Sequence, residues 1–190
     1  MLTEEERAFG ARAPRSGGSS RGIRSSASTR GRGRWPLKRW TEEGFLAVAS
    51  ALSQSGVGVL LLGGPEEVER NRRLADATKK ANAKGAPVVD TGCDNSLRQF
   101  ASIVDLCDAV VSGDTLAMHV ATALGKRVVA IFGPTSSVEI DLFGRGEKIV
   151  SEVMDCLVCY LSKCDLDPNC MNTIPAGRVE AAVRRCLAAR

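Results

Sequence analysis

The stretch Ser112-Gly113-Asp114-Thr115-Leu116-Ala117-Met118-His119 decides the fold. It is a polar turn set between apolar runs. Leu106-Cys107-Asp108-Ala109-Val110-Val111 before it reads as a short buried strand, and Val120-Ala121-Thr122-Ala123-Leu124-Gly125 after it as a helix that ends at glycine. The only histidine of the chain therefore lies in the first turn or two of a helix that starts where a strand stops. Open α/β sheets bind ligands at such places, and a helix start presents unpaired N–H groups to a phosphate. A second polar turn, Phe132-Gly133-Pro134-Thr135-Ser136-Ser137, follows the next strand and should open beside the first.

Working outward, continuous apolar strands alternate with amphipathic helices from residue 41 to 135. Thr41 caps a helix reaching about Leu52, and Val57-Gly58-Val59-Leu60-Leu61-Leu62 is a strand buried on both faces. Gly63-Gly64-Pro65 turns into a polar helix from about Glu66 to Asn82, and Ala86-Pro87-Val88-Val89-Asp90 is a short strand. Ser96 caps a helix carrying Leu97, Phe100, Ile103 and Val104 on one face, and Arg127-Val128-Val129-Ala130-Ile131-Phe132 is a further apolar strand. Lys148-Ile149-Val150-Ser151 ends the strand series. Pro175 opens a terminal helix with Val179, Ala182, Val183 and Cys186 turned inward. Such alternation specifies βαβ units and a Rossmann-like, mostly parallel sheet covered by helices on both faces. Neither the Gly-x-Gly-x-x-Gly fingerprint nor a Walker P-loop follows any strand, so standard dinucleotide and nucleoside-triphosphate sites are excluded.

The formal net charge of +4 is unevenly spread. Residues 1–34 hold eight arginines against three glutamates, which leaves the remainder at −1. The folded part is thus nearly neutral, and no nucleic-acid partner is expected. Residues 1–30, rich in Arg, Ser and Gly without apolar periodicity, read as disordered, and residues 31–190 as one domain. No apolar run approaches the roughly 20 residues that span a bilayer, and there is no signal-peptide pattern.

Several residues could carry chemistry. Lys38-Arg39 before the first helix reads, on spacing alone, as a solvated basic pair, although a lysine there could reach a diphosphate. Gly63-Gly64 lets backbone approach a ligand at a strand end. Glu66 and Glu67 either stabilise a helix start or accept ribose hydroxyls. Thr115 and the helix-start N–H groups suit a phosphate, while Asp114 suits sugar hydroxyls or nearby N–H groups. His119, one turn on, could donate to a phosphate or a sugar. Cys156-x2-Cys159-x4-Cys164-x5-Cys170 is a set of four thiols whose spacing suits a structural Zn2+ or else a group of reduced thiols. Cys93, Cys107 and Cys186 read as isolated thiols.

Four blocks in order resemble the ADP-heptose:lipopolysaccharide heptosyltransferases of glycosyltransferase family 9. They are Trp35-Pro36-Leu37-Lys38-Arg39-Trp40, Leu61-Leu62-Gly63-Gly64-Pro65-Glu66-Glu67, the Gly113-Asp114-Thr115 turn through His119 with Phe132-Gly133-Pro134-Thr135, and the cysteine segment ending Cys170-Met171-Asn172-Thr173-Ile174. The resemblance covers about residues 31–190. It implies the C-terminal, nucleotide-sugar-binding domain of a GT-B enzyme, a cytoplasmic protein that works at the inner face of the bacterial inner membrane. It further implies that Lys38 contacts the diphosphate, that Glu67 or Glu66 holds the ribose, and that Asp114, Thr115 and His119 surround the diphosphate and sugar, with Gly64, Leu116, Gly133 and Thr135 as loop contacts. The reaction it implies is metal-independent, inverting transfer of a heptose or similar sugar from an ADP-sugar to a lipopolysaccharide-core acceptor. Leu116 stands where the family often has glycine. The family's N-terminal domain, with its acceptor surface and general base, has no counterpart in this sequence. The expectation is therefore a chain inactive on its own, or else a non-catalytic nucleotide-binding module, with residues 1–30 as a truncated or shifted reading frame that forms no sheet-paired structure.

Overall fold

The structure, a computed structural model, describes residues 1–12, 22–26 and 36–189. Helix α1 (Glu4–Arg12) precedes strand β1 (Gly22–Ser26), and helix α2 (Glu42–Gln54) leads into β2 (Gly58–Leu62). Then come α3 (Val68–Ala81), β3 (Val88–Asp90), α4 (Leu97–Asp105), β4 (Ala109–Gly113), α5 (Leu116–Ala123), β5 (Arg127–Ile131), β6 (Gly146–Ile149) and α6 (Ala176–Ala188). The strands form one sheet in the order β3-β2-β1-β4-β5-β6, with every pairing parallel. This is the doubly wound arrangement, and its strand order reverses between β1 and β4. The carboxyl ends of the parallel strands lie at one edge of the sheet, and in such sheets the strand-order reversal is where ligands bind.

β1 corrects the expectation of disorder over residues 1–30. Its backbone pairs on both sides, from Gly22↔Gly58 to Ser26↔Leu62 and from Ile23↔Ala109 to Ser26↔Ser112. The expectation that this stretch forms no sheet-paired structure, and with it the argument for a shifted reading frame, fails at residues 22–26. Residues 13–21 and 27–35 lie outside the described residues. The physical reason is that a parallel ladder uses main-chain N–H and C=O groups, which every non-proline residue carries. Gly-Ile-Arg-Ser-Ser has one strongly apolar residue and so gives no apolar run to read. Residues 4–12 are also ordered, as a helix on α4, where Arg7 approaches Asp105 at 3.4 Å, Glu6 pairs with Arg98, and Phe9 packs against the core.

The alternating directions of strand side chains divide the core in two. Val59, Leu61, Val111, Val129 and Ile131 meet Phe45, Val48, Leu52 and Leu74 of α2 and α3 and Val179, Ala182 and Val183 of α6. Leu60, Leu62, Val110, Val128 and Ala130 meet Ile103, Val104, Met118 and Ala121 of α4 and α5. Each fully buried Val, Leu or Ile contributes about 1.5–3 kcal/mol relative to exposure. The terminal helix buries the predicted face, including Cys186. Leu97 is a correction: at the first position of α4 it is exposed, because the buried face begins deeper in the helix at Ser102, Ile103 and Val104. The cap at Ser96 is present, with Gln99 N–H donating to the Ser96 hydroxyl and Ser96 N–H to the Gln99 side chain. The polar helix after Gly64 starts with a 3-10 turn over Pro65–Glu67 and becomes α-helical at Val68.

Candidate active site at the carboxyl edge of the sheet

The turn after β4 is built as its composition requires. Gly113 ends the strand against the preceding Pro36–Lys38 turn, so closely that a Cβ there would lie 2.8 Å from the Lys38 carbonyl oxygen. That contact seats Lys38 beside the start of α5. Its Nζ lies 2.7 Å from Asp114 Oδ2 in a half-buried ion pair. His119 reaches the other oxygen of the same carboxylate, with Nε2 4.0 Å from Asp114 Oδ1, and is itself exposed. Thr115 is the N-cap of α5, and its carbonyl accepts the first helical bond from His119 N–H. The Thr115 side chain does not cap the helix. The buried Ser112 hydroxyl donates to the Gly113 carbonyl and stands 2.7 Å from Thr115 Oγ1, which directs the Thr115 proton at Ser112. Hence the helix-start N–H groups carry no side-chain cap. Leu116, the first helical residue, is exposed at the same mouth.

Beyond β2, Glu67 is buried and Glu66 exposed. Glu67 Oε2 accepts the Gly64 N–H at 2.8 Å and so fixes the glycine turn. Arg39 bridges the two carboxylates, 2.8 Å from Glu66 and 3.8 Å from Glu67. Arg70 is placed beneath, over the Phe45 ring at 6.0 Å, where burial pushes its guanidinium below the ordinary value while Glu67 opposes the shift. Trp40 holds this corner to the core: its Nε1 donates to the Ile174 carbonyl at 3.1 Å and its ring meets Phe45 edge-on. Lys38 and Arg39 both pair with carboxylates, Lys38 half-buried and Arg39 exposed.

After β5, Gly133 and Thr135 are buried. A Cβ on Gly133 would lie 2.7 Å from Cys170 Sγ and from Met171 Sδ, so the glycine makes room for the cysteine segment. Thr135 Oγ1 is buried with no hydrogen-bond partner, a polar atom that a ligand oxygen could satisfy. The sequence reading missed the Arg39 bridge, the Ser112–Thr115 contact and Tyr160, whose backbone N–H donates to the Pro134 carbonyl at 2.8 Å. The Arg39 and Tyr160 contacts join segments more than twenty residues apart, which spacing does not signal, and the Ser112–Thr115 contact is a local side-chain bond within the turn that apolar patterning does not show.

The four clustered thiols have the chemistry of a zinc site. Cys156 and Cys159 are exposed, Cys164 is half-buried and Cys170 buried. Among the described residues, no group of three His, Cys, Asp or Glu side chains is placed to hold a metal ion. Burial, then the neighbouring Cys159, Cys156 and Cys164, raises the Cys170 thiol above its ordinary value.

Residues 25–169 match glycosyltransferase family 9 (heptosyltransferase). The chain belongs to glycosyltransferase family 9. Its family 9 relatives include lipooligosaccharide heptosyltransferase 2 of Campylobacter jejuni, 26% identical over 151 residues, which are 78% of this chain and 46% of the relative. The family 9 fold is seen in the E. coli ADP-heptose LPS heptosyltransferase II, which superposes with a TM-score of 0.74 at 21% identity over 99% of this chain and 53% of that one. E. coli heptosyltransferase WaaC with ADP-2-deoxy-2-fluoro heptose superposes with a TM-score of 0.65 at 20% identity over 96% of this chain and 48% of that one. The family 9 chain described here thus spans about half the length of the relatives it matches.

Proposed function

We propose that this chain is the donor-binding half of an inverting glycosyltransferase that takes a heptose or similar sugar from an ADP-sugar, for a lipopolysaccharide-core or related glycan acceptor. The observation that carries this reading is Lys38 held on Asp114 at the strand-order reversal, between the α5 N-terminus and the Gly64 turn. In this reading the Lys38 ammonium and the helix-start N–H groups receive the diphosphate. The buried Thr135 hydroxyl supplies a further partner, and Glu66 or Glu67 accepts the ribose hydroxyls. Asp114 and His119 face the sugar end, where the carboxylate accepts hydroxyl protons and the exposed imidazole donates. Leu116 narrows the mouth where the donor's sugar enters.

Transfer with inversion needs a base within hydrogen-bond reach of the acceptor hydroxyl. Asp114 is engaged by Lys38 and is assigned to the donor, so the base belongs to the part of the enzyme that this half does not supply. Activity then takes place at the inner membrane face. No described helix is long and apolar enough to cross the membrane itself. Calorimetric titration with ADP-heptose, ADP and AMP tests the reading. ADP-heptose and ADP should bind, AMP much more weakly, and the chain alone should transfer no sugar. Absence of ADP binding overturns it.

A further inference from the structure

The cysteine-bearing segment touches the loop after β5 along its length. Val158 N–H donates to the Gly133 carbonyl at 3.1 Å, and Tyr160 N–H to the Pro134 carbonyl at 2.8 Å. Cys170 and Met171 close against Gly133 from below. Val158 and Tyr160 both hold left-handed backbone, at φ 61° and 52°. Non-glycine residues adopt this region at a cost, and they persist there where surrounding contacts over-determine them. Here the two loop carbonyls provide those contacts.

The Tyr160 side chain continues the same line. Its hydroxyl accepts the Ser136 N–H at 3.4 Å and donates to Glu139 at 2.8 Å. The bond to Glu139 raises the phenol above its ordinary value, and the nearby Asp114 carboxylate adds to the shift. One residue thereby grips the loop at both Pro134 and Ser136, on either side of the buried, unpartnered Thr135 hydroxyl.

We propose that Tyr160 is a positioning residue for the donor's diphosphate, acting through the loop that carries Thr135. The inference rests on the donor-binding reading above. Its chemistry is local: the phenol and its backbone N–H fix Pro134 and Ser136, and so hold the intervening Thr135 hydroxyl in place. A ligand without the second phosphate gains nothing from that placement.

The test compares the full chain with its Tyr160→Phe variant in calorimetric titrations with ADP and AMP, alongside thermal melting and amide exchange at residues 133–137. Loss of the hydroxyl's bonds should weaken ADP about fivefold or more, the scale of one or two hydrogen bonds. AMP affinity and melting temperature should stay unchanged, and exchange at Ser136 should quicken. Equal loss for ADP and AMP, or no loss for either, overturns the positioning role while leaving the donor site intact. Failure of the unsubstituted chain to bind ADP overturns both readings.

Discussion

Lys38 Nζ lies 2.7 Å from Asp114 Oδ2, and the Lys38 carbonyl closes over Gly113 one residue earlier. A lysine from the connection between β1 and α2 is thus fixed to the turn that follows β4. The pair is half-buried, so screening by water is incomplete. Two variants separate the two charges. Lys38→Ala should weaken ADP about tenfold or more, since charge-assisted contacts to phosphate are among the stronger hydrogen bonds. Asp114→Asn should bind ADP as well or better, because a negative charge leaves the phosphate's surroundings. It should also weaken ADP-heptose relative to ADP, because the carboxylate that faces the sugar is gone. Calorimetric titrations of the unsubstituted chain and the two variants with ADP and ADP-heptose check both outcomes.

Gly113 and Gly133 both exclude a Cβ, but for different reasons. At Gly113 the obstacle is backbone, the Lys38 carbonyl at 2.8 Å, which cannot move without moving the Lys38 turn. At Gly133 the obstacles are the Cys170 and Met171 sulfurs at 2.7 Å, and the methionine is flexible. Gly113→Ala should therefore reduce ADP affinity markedly and cost about 1–3 kcal/mol of stability, as overpacked sites do. Gly133→Ala should act mainly on stability. Denaturant unfolding beside ADP titration checks the contrast.

The parts of the fold that rest on apolar runs were legible in the chain. Val59 to Leu62, Ala109 to Val111 and Val128 to Ile131 are buried strands because both sheet faces are covered. The turns after them could be placed for the same reason, and Asp114, Thr115 and His119 fell together through chain proximity alone. β1 was not legible, because its pairing uses only main-chain groups and its residues show no apolar pattern. Nor was the docking of Tyr160 on Pro134 and Ser136, which joins segments more than twenty residues apart through local backbone geometry. Cysteine spacing groups four thiols but does not fix how deeply each is placed, and their depths differ.

Those depths predict thiol reactivity. Cys156 and Cys159 are exposed, whereas Cys93, Cys107, Cys170 and Cys186 are buried. Burial is the main cause that raises the thiols of Cys93, Cys170 and Cys186, which holds them further from the reactive thiolate. A colorimetric thiol titration of the reduced native chain should show two fast groups, lost in the Cys156→Ala/Cys159→Ala variant. A chelator should leave that fast phase unchanged. Fast thiols that emerge only after chelation, with zinc released in equal amount to protein, would instead show that the segment closes around a metal.

Acid should loosen two specific clamps. Glu147 of β6 receives two bonds from Arg185 of α6, at 2.8 and 2.7 Å, and Glu42 of α2 receives two from Arg73 of α3, at 2.8 and 2.9 Å. In each case the guanidinium holds the carboxyl below its ordinary 4.5. A carboxyl depressed in the folded state favours folding at any pH above its unfolded value. That contribution fades as pH falls through the lower folded value, where protonation removes the charge. Both pairs are partly exposed, so each contributes at most about 0.5–1 kcal/mol. Arg185→Ala should lower the unfolding free energy by up to that amount at neutral pH, and the gap to the unsubstituted chain should close in acid, below the folded range of Glu147. Urea unfolding of the two proteins across this range checks the sign: a gap that widens in acid would show that Glu147 is not the group involved.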